Sequence, residues 1–202
     1  MPADFTIALT GFTTALSLIM VIGAQNAFVL KQGLLRAHVL AVVLFCAASD
    51  AALIALGVAG AGAMAANPGV MEILRWGGVA FLGWYGLRAA LAAWKGGERL
   101  QAAGAVPTRL GPTLLTLAGF TWLNPHVWLD TVVLIGALSA QFAAPWAFGG
   151  GAMLGSFVFF IALGYGARIL QPVFARPLAW RLLDAGIAAL MWMIAARLAL
   201  GG

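Results

Sequence analysis

Charged residues and cysteine are both scarce in this sequence, and each shortage argues against a class of protein. Asp, Glu, Lys and Arg together make up 8% of the 202 residues, whereas they make up roughly 25% of a soluble domain. The single cysteine, Cys46, cannot form an internal disulfide, and it argues against a membrane thiol oxidoreductase, which needs at least two thiols. We interpret Cys46 as a small packing residue within an apolar segment.

Sequence signatures of enzymes are also missing. The chain has no H-E-x-x-H, no G-x-S-x-G, no P-loop and no paired Cys/His spacing for a metal. We therefore predict that the protein is not an enzyme and needs neither a cofactor nor a metal. The net charge of +5 comes from basic residues that stand singly in short loops and at helix ends, so nucleic-acid binding is not expected.

Apolar sequence, in contrast, is abundant. Hydrophobic residues make up 63% of the chain and its mean hydropathy is +1.01, values typical of a polytopic membrane protein. A membrane helix needs about 20 apolar residues, and six segments qualify. The predicted fold is therefore all-α, with six transmembrane helices. They lie at 5–30 (too long for a signal peptide, so a retained span), 38–62, 70–94, 112–139, 147–168 and 178–200.

The most polar stretch, residues 95–111, divides the chain into two halves, 1–94 and 112–202. The halves resemble each other at an offset of 108 residues, as where Gly11-Phe12-Thr13 matches Gly119-Phe120-Thr121. A repeat with an odd number of spans must lie inverted relative to its twin, which is a common transporter architecture. We predict two inverted three-helix repeats joined by a linker, although chance matching among such similar residues is the alternative.

Basic residues are distributed unevenly between the two predicted faces. One face holds only Arg75 and Arg197, and the other holds nine. The positive-inside rule places those nine in the cytoplasm and both termini outside, unless one segment is re-entrant. The nine are Lys31, Arg36, Arg88, Lys95, Arg99, Arg109, Arg168, Arg176 and Arg181.

The fourth predicted span contains the segment Thr121–Asp130, which reads T-W-L-N-P-H-V-W-L-D. Pro125 removes a backbone donor and clashes with the preceding turn, so the helix should bend or open near Leu123–Pro125. Open backbone inside a bilayer is tolerated only where it is buried in protein or lines a polar cavity. Asp130 in such a span costs roughly 2.5–3.5 kcal/mol on insertion scales and therefore indicates a functional site.

The first span offers a counterpart to this break. Gly23 precedes two adjacent carboxamides, Gln25 and Asn26, within an otherwise apolar run. Carboxamides can donate and accept hydrogen bonds without a net charge, which suits a substrate carboxylate or ammonium. The alternative is that they hydrogen-bond between helices, which is worth about 0.6 kcal/mol on average.

Two acids lie within the spans without a nearby lysine or arginine. Asp50 and Asp130 have none within four positions, so the matching cation is expected to be a substrate or a proton. The alternative for each is a neutral carboxylic acid bonded to a neighbouring helix. His126 lies four residues before Asp130, on the same helix face, and could relay protons or simply fill space beside the proline.

Four motifs carry a resemblance to a known family. They are G-A-Q-N-A-F-V-L-K-Q-G at 23–33, S-D at 49–50, R-W-G-G-V-A-F-L-G-W-Y-G at 75–86 and T-W-L-N-P-H-V-W-L-D at 121–130. Together they resemble the LysE/ArgO family of basic amino acid exporters over essentially the whole chain. One departure is Ala24, because the first family motif commonly reads G-P-Q-N.

The resemblance implies proton- or potential-driven export of L-arginine or L-lysine across the bacterial inner membrane. In this hypothesis Gln25, Asn26 and Asn124 hold the substrate's α-amino and α-carboxylate groups at the two breaks. Asp50 and Asp130 face its cationic side chain or carry the coupling proton. The expected partners are the amino acid, protons and the lipid bilayer, and a homo-oligomer is left open. Three alternatives remain: export of a metal such as cadmium, export of homoserine or threonine, and a membrane-embedded enzyme.

Overall fold

The computed structural model describes residues 3–20, 23–60, 62, 67–95 and 109–200. Most of the predicted linker therefore lies outside the described residues. Every regular element within these ranges is helical, as predicted. The helices are α1 (Ala3–Ile19), α2 (Ala24–Leu35), α3 (Val39–Val58), α4 (Pro68–Trp94), α5 (Leu110–Trp122), α6 (Pro125–Ser139), α7 (Pro145–Gly166) and α8 (Pro177–Leu200), with short 3-10 turns at Ala167–Leu170 and Val173–Ala175.

Three of the described helices are each long and apolar enough to cross a bilayer. They are α3, α7 (counted with its extension to Leu170) and α8. If α1 and α2 together form one bent crossing, they add a fourth span. The predicted fourth span is divided into α5 and the shorter apolar helix α6. The six-span arrangement and its inverted symmetry therefore stay predictions.

The predicted repeat offset has a counterpart in the helix boundaries. Val58 ends α3 and Gly166 ends α7, and these two positions are 108 residues apart. Proline begins both of the helices that follow, at Pro68 in α4 and at Pro177 in α8. These two helices also pack against each other along their lengths.

Glycine allows the helices to approach one another closely. In α1, Gly11 faces the backbone of Phe148 on α7, and Gly151 on α7 faces the backbone of Ala8, so neither position has room for a Cβ atom. Close contacts through small residues are the usual way in which membrane helices associate. The α1–α7 pair is consequently among the most extensive contacts in the fold.

A second glycine contact places α6 against α3. A Cβ atom on Gly136 of α6 would lie 2.6 Å from the carbonyl oxygen of Gly57 on α3, and Gly57 in turn meets the backbone of Thr131 and Val132. The segment that follows the Asn-Pro break therefore lies in backbone contact with the helix that carries Asp50. This contact positions the candidate site.

The largest apolar cluster lies where α2, α3, α4, α5 and α8 meet, with Phe160 of α7 at its side. Its centre includes the aromatic rings of Phe28, Tyr85 and Phe120, whose centroids lie 4.9–5.9 Å apart in tilted or edge-on arrangements. Cys46 is fully buried in the same cluster, in keeping with a packing role.

Candidate functional site

The first span is interrupted between α1 and α2, whose axes make an angle of 85°. Gly23 precedes α2 in an extended conformation (φ −109°, ψ 177°). The side-chain nitrogen of Asn26 donates a hydrogen bond of 2.7 Å to the carbonyl oxygen of Ile19, at the end of α1. The interruption is present although Ala24 stands in place of the proline common in the resembled motif, and Asn26 satisfies a carbonyl that the broken helix leaves open.

The second interruption separates α5, which ends at Trp122, from α6, which begins at Pro125. Asn124 caps α6, and its side-chain oxygen accepts a hydrogen bond of 3.1 Å from the backbone N–H of His126. Pro125 occupies the first position of the helix, where its missing N–H costs nothing and its fixed φ angle fits. Proline thus starts a new helix here, after the chain has opened at Leu123 and Asn124.

Part of α6 is a π-helix, which the sequence did not predict. It spans Leu129–Leu134, and its wider turn is closed by the N–H of Ile135 bonding to the carbonyl of Asp130. Thr131 donates its hydroxyl to the carbonyl of Val127 in the same region. Such insertions occur often at functional sites, because they change the face on which a side chain lies.

A cavity of about 470 Å³ lies between the two interruptions. This volume falls within the range of small-ligand sites, about 300–1,000 Å³. Seven of the eight residues predicted from sequence line the cavity, namely Gly23, Gln25, Asn26, Asp50, Asn124, His126 and Asp130. The eighth, Pro125, is buried at the start of α6 and does not line the cavity.

The two acids differ in their surroundings. Asp50 is only 4% exposed, and its carboxylate accepts a hydrogen bond of 2.7 Å from the hydroxyl of Ser156 on α7. Asp50 thus lines the cavity, as predicted for an acid that faces a substrate or a proton. It also bonds to a neighbouring helix, which was the alternative prediction for this residue. Asp130 is exposed, and no residue in the described part of the chain forms a hydrogen bond or salt bridge with its side chain.

Lys31 on α2 and Asp184 on α8 form a buried ion pair that was not predicted from the sequence. Asp184 is 1% exposed and Lys31 is 16% exposed. Lys31 was expected in a loop, and this was wrong: α2 begins late, at Ala24, and continues through Lys31 to Leu35. An acid at position 184, inside an apolar span, was a signal of the same kind as Asp50 and Asp130.

A smaller cavity of about 320 Å³ lies further along α2. The first turn of α2 lines the larger cavity, whereas Phe28, Lys31, Gln32 and Leu35 line the smaller one. Arg88 and Arg109 also line it, so the smaller cavity is basic where the larger one is acidic.

Comparison with known proteins shows the family of the chain. The model of a family described as LysE type translocator matches residues 16–202. The chain belongs to the LysE family. The resemblance drawn from four short motifs is thereby confirmed, and the family is one of multi-pass membrane proteins that translocate solutes across the bilayer.

Individual relatives match over most of the chain. The protein named "Putative amino-acid transporter YggA" from Aeromonas salmonicida is 42% identical over 200 residues, which covers 98% of this chain and 97% of the relative. Two proteins named "Putative amino-acid transporter", one from Mycobacterium bovis and one from Mycobacterium tuberculosis, are each 47% identical over 183 residues. Each match covers 87% of this chain and 88% of the relative. No solved structure matches the chain. This LysE-family chain is therefore an amino-acid transporter of the membrane.

Proposed function

We propose that this LysE-family transporter exports basic L-amino acids, arginine or lysine, across the bacterial inner membrane in exchange for protons. One observation carries the proposal: Asp50, Asp130 and three carboxamides line one cavity between two helix interruptions. The acids suit the cationic groups of the substrate, and the carboxamides suit its α-amino and α-carboxylate groups. A neutral amino acid would leave at least one of the acids without a partner.

The two acids would have different tasks. Asp130, which is exposed and has no bonded partner in the described residues, would bind the cationic side chain of the substrate. Asp50, which Ser156 holds in place, would carry the coupling proton. His126 lies four residues before Asp130 on the same short helix, lines the same cavity and would pass the proton on.

The carboxamides would combine structural and binding roles. Asn26 and Asn124 each use one amide atom to hold a helix interruption together. Gln25 has a buried side-chain nitrogen near the Cys46 thiol, without an oxygen or nitrogen acceptor in the described part of the chain, and this donor would bind the substrate carboxylate. Backbone groups exposed at the two interruptions would supply the remaining hydrogen bonds.

Proton exchange follows from the energetics of export. Moving a cation outward against an inside-negative potential is opposed by about 2.3 kcal/mol per charge per 100 mV. A proton that moves inward for each substrate offsets this term. Alternating access would then require the cytoplasmic side to close and open, and the ion pair of Asp184 on α8 with Lys31, which lines the smaller cavity, would form that closure.

The test is counterflow in proteoliposomes with a panel of the twenty amino acids. We expect arginine and lysine to exchange fastest, and we expect Asp130→Asn to abolish their exchange. Asp50→Asn should retain substrate binding but lose proton coupling, seen as exchange that no longer responds to an imposed pH gradient. Glu72→Gln is the matched control, because Glu72 is exposed on α4, bonds to Trp76 and lies away from the cavity.

Unchanged exchange from both Asp50→Asn and Asp130→Asn would remove the acids from the mechanism. Preference for threonine or homoserine over arginine would contradict the basic substrate class while leaving amino-acid transport intact. The orientation, with both termini outside, can be tested separately by the accessibility of terminal tags in intact cells.

A further inference from the structure

Arg197 is the one lysine or arginine, among the described residues, that lines the larger cavity. We propose that Arg197 binds the α-carboxylate of the transported amino acid and thereby distinguishes an amino acid from its decarboxylated amine. This inference rests on the proposed function, because it assumes that the substrate occupies this cavity.

The position of Arg197 follows from the spacing along α8. Leu190, Met193, Ile194 and Arg197 all line the cavity. Residues separated by three, four and seven positions lie on one face of an α-helix. The helix therefore presents an apolar wall to the cavity, and Arg197, which is exposed, lies at the end of that wall.

Arg197 differs from the other arginine near this end of α8. Arg75 on α4 donates from Nε to the carbonyl of Leu198 at 2.6 Å and from Nη2 to the carbonyl of Ala199 at 2.7 Å. These bonds satisfy the last carbonyls of α8 and fix the end of the helix. By contrast, no residue in the described ranges forms a hydrogen bond or ion pair with Arg197. Arg75 thus holds the helix, and Arg197 presents its donors to the cavity.

The charges that line the cavity match those of a basic amino acid. Once Asp50 has released the coupling proton, the walls carry two carboxylates, Asp50 and Asp130, and one guanidinium, Arg197. Arginine or lysine at neutral pH carries two cationic groups and one carboxylate. Arginine binds carboxylates through two parallel hydrogen bonds, a geometry that a single ammonium group cannot reproduce. A diamine without a carboxylate would leave Arg197 unpaired in the cavity.

Two simpler roles of Arg197 would need only its positive charge. A cation in the last turn of a helix is favoured by the helix dipole, and an arginine near the end of a membrane helix often extends toward the lipid head groups. Neither role distinguishes arginine from agmatine, its decarboxylated amine. The deciding measurement is therefore a ratio between these two ligands, since a loss of overall activity would fit any of the roles.

The experiment is competition against labelled arginine in proteoliposomes, with unlabelled arginine, agmatine and argininamide as competitors. In the wild-type protein arginine should compete about 10- to 100-fold better than either compound that lacks the carboxylate charge, as expected for a charged hydrogen-bonded pair. Arg197→Gln should weaken competition by arginine by the same factor while leaving agmatine unchanged, so the ratio approaches one. Arg197→Lys, which keeps the charge but not the paired donors, should give an intermediate ratio.

Arg181→Gln is the matched control, because Arg181 lies at the opposite end of α8 and is exposed. Its ratio should equal that of the wild type. A wild-type ratio close to one, or an unchanged ratio in Arg197→Gln and Arg197→Lys, would overturn the inference even if one variant folds poorly. If the wild type transports no basic amino acid, the proposed function fails instead. The same ratio, measured with whichever amino acid is transported and its amine, then still tests Arg197.

Discussion

The two helix interruptions line the same cavity but are built in different ways. At the second, Asn124 caps α6 and Pro125 fixes its first turn, so the break is encoded by adjacent residues. At the first, Gly23 has no side chain to cap α2, and Asn26 instead bonds to Ile19, seven residues earlier. One interruption is thus fixed locally, and the other depends on a bond across the gap.

This difference indicates how far the local sequence determines the backbone conformation of each interruption before the helices pack. A cap together with a proline restricts the backbone even in the unfolded chain, whereas a glycine leaves it free. We therefore expect the second interruption to be the more rigid of the two. The first would be the part that moves when the cavity changes its access. The predictions below test this contrast in order of decreasing effect.

The largest effect is expected at Gly136, which holds the second interruption against α3. In Gly136→Val the new side chain would meet the backbone of Gly57, where a Cβ already has no room. Overpacking of this kind costs about 1–3 kcal/mol or more, and α6 would be displaced from Asp50. We expect a clear loss of thermal stability in detergent and loss of arginine counterflow. Gly150→Val is the control, since nothing lies within 4 Å of that position, and equal behaviour of the two variants would contradict the packing argument.

Removal of the cap at the second interruption should have the next largest effect. Asn124→Ala leaves the N–H of His126 without its acceptor, and loss of a cap costs about 1 kcal/mol. Asn124→Ser can still cap the helix and should recover the stability. If Asn124 also contacts the substrate, as proposed, the serine variant should remain deficient in counterflow. Full recovery of both properties would limit Asn124 to the structural role.

At the first interruption, Asn26→Ala should lower stability by about 0.5–1.5 kcal/mol, because it removes the partly buried hydrogen bond to the Ile19 carbonyl. Its sharper effect should be local. Hydrogen exchange of the backbone amides at the start of α2 should become faster, with no change in α6. A uniform increase in exchange over both interruptions would show that the two breaks are not independent.

The smallest effect on stability is expected from making the first interruption resemble the second. Ala24 is the first residue of α2, and the extended conformation of Gly23 is compatible with a following proline. Ala24→Pro should therefore be neutral or stabilise the protein by up to about 1 kcal/mol. It should also slow transport if this break moves. Ala27→Pro is the control: it removes the bond from Ala27 N–H to the Gly23 carbonyl and should cost about 3 kcal/mol.

Local chemistry allowed much of the site to be predicted from sequence. Asn-Pro and the glycine before two carboxamides are signals that act within a few residues, and both mark real helix ends in the structure. An acid in an apolar segment is equally visible, which is why Asp50 and Asp130 could be chosen. These residues then converge on one cavity because glycine contacts bring α6 against α3.

Features that depend on tertiary structure could not be found in this way. Lys31 and Asp184 are 153 residues apart, and the residues around each of them give no indication that the two form an ion pair. The π-helix that contains Asp130 likewise has no signal in the sequence, since its residues have no special composition. Arg197 was counted only as a charge on the outer face. Its spacing from Leu190, Met193 and Ile194 was a signal that could have placed it on the same face as those residues.

The central claim is that substrate occupies the cavity between the two interruptions, and ligand protection of a single cysteine tests it most directly. The variant is His126→Cys in a Cys46→Ala background, with Ala140→Cys as the control, because Ala140 is exposed in the turn after α6. The account predicts that arginine slows the reaction of a polar thiol reagent at position 126 and leaves position 140 unaffected. Equal reaction rates with and without arginine at position 126, in a protein that still transports arginine, would contradict it.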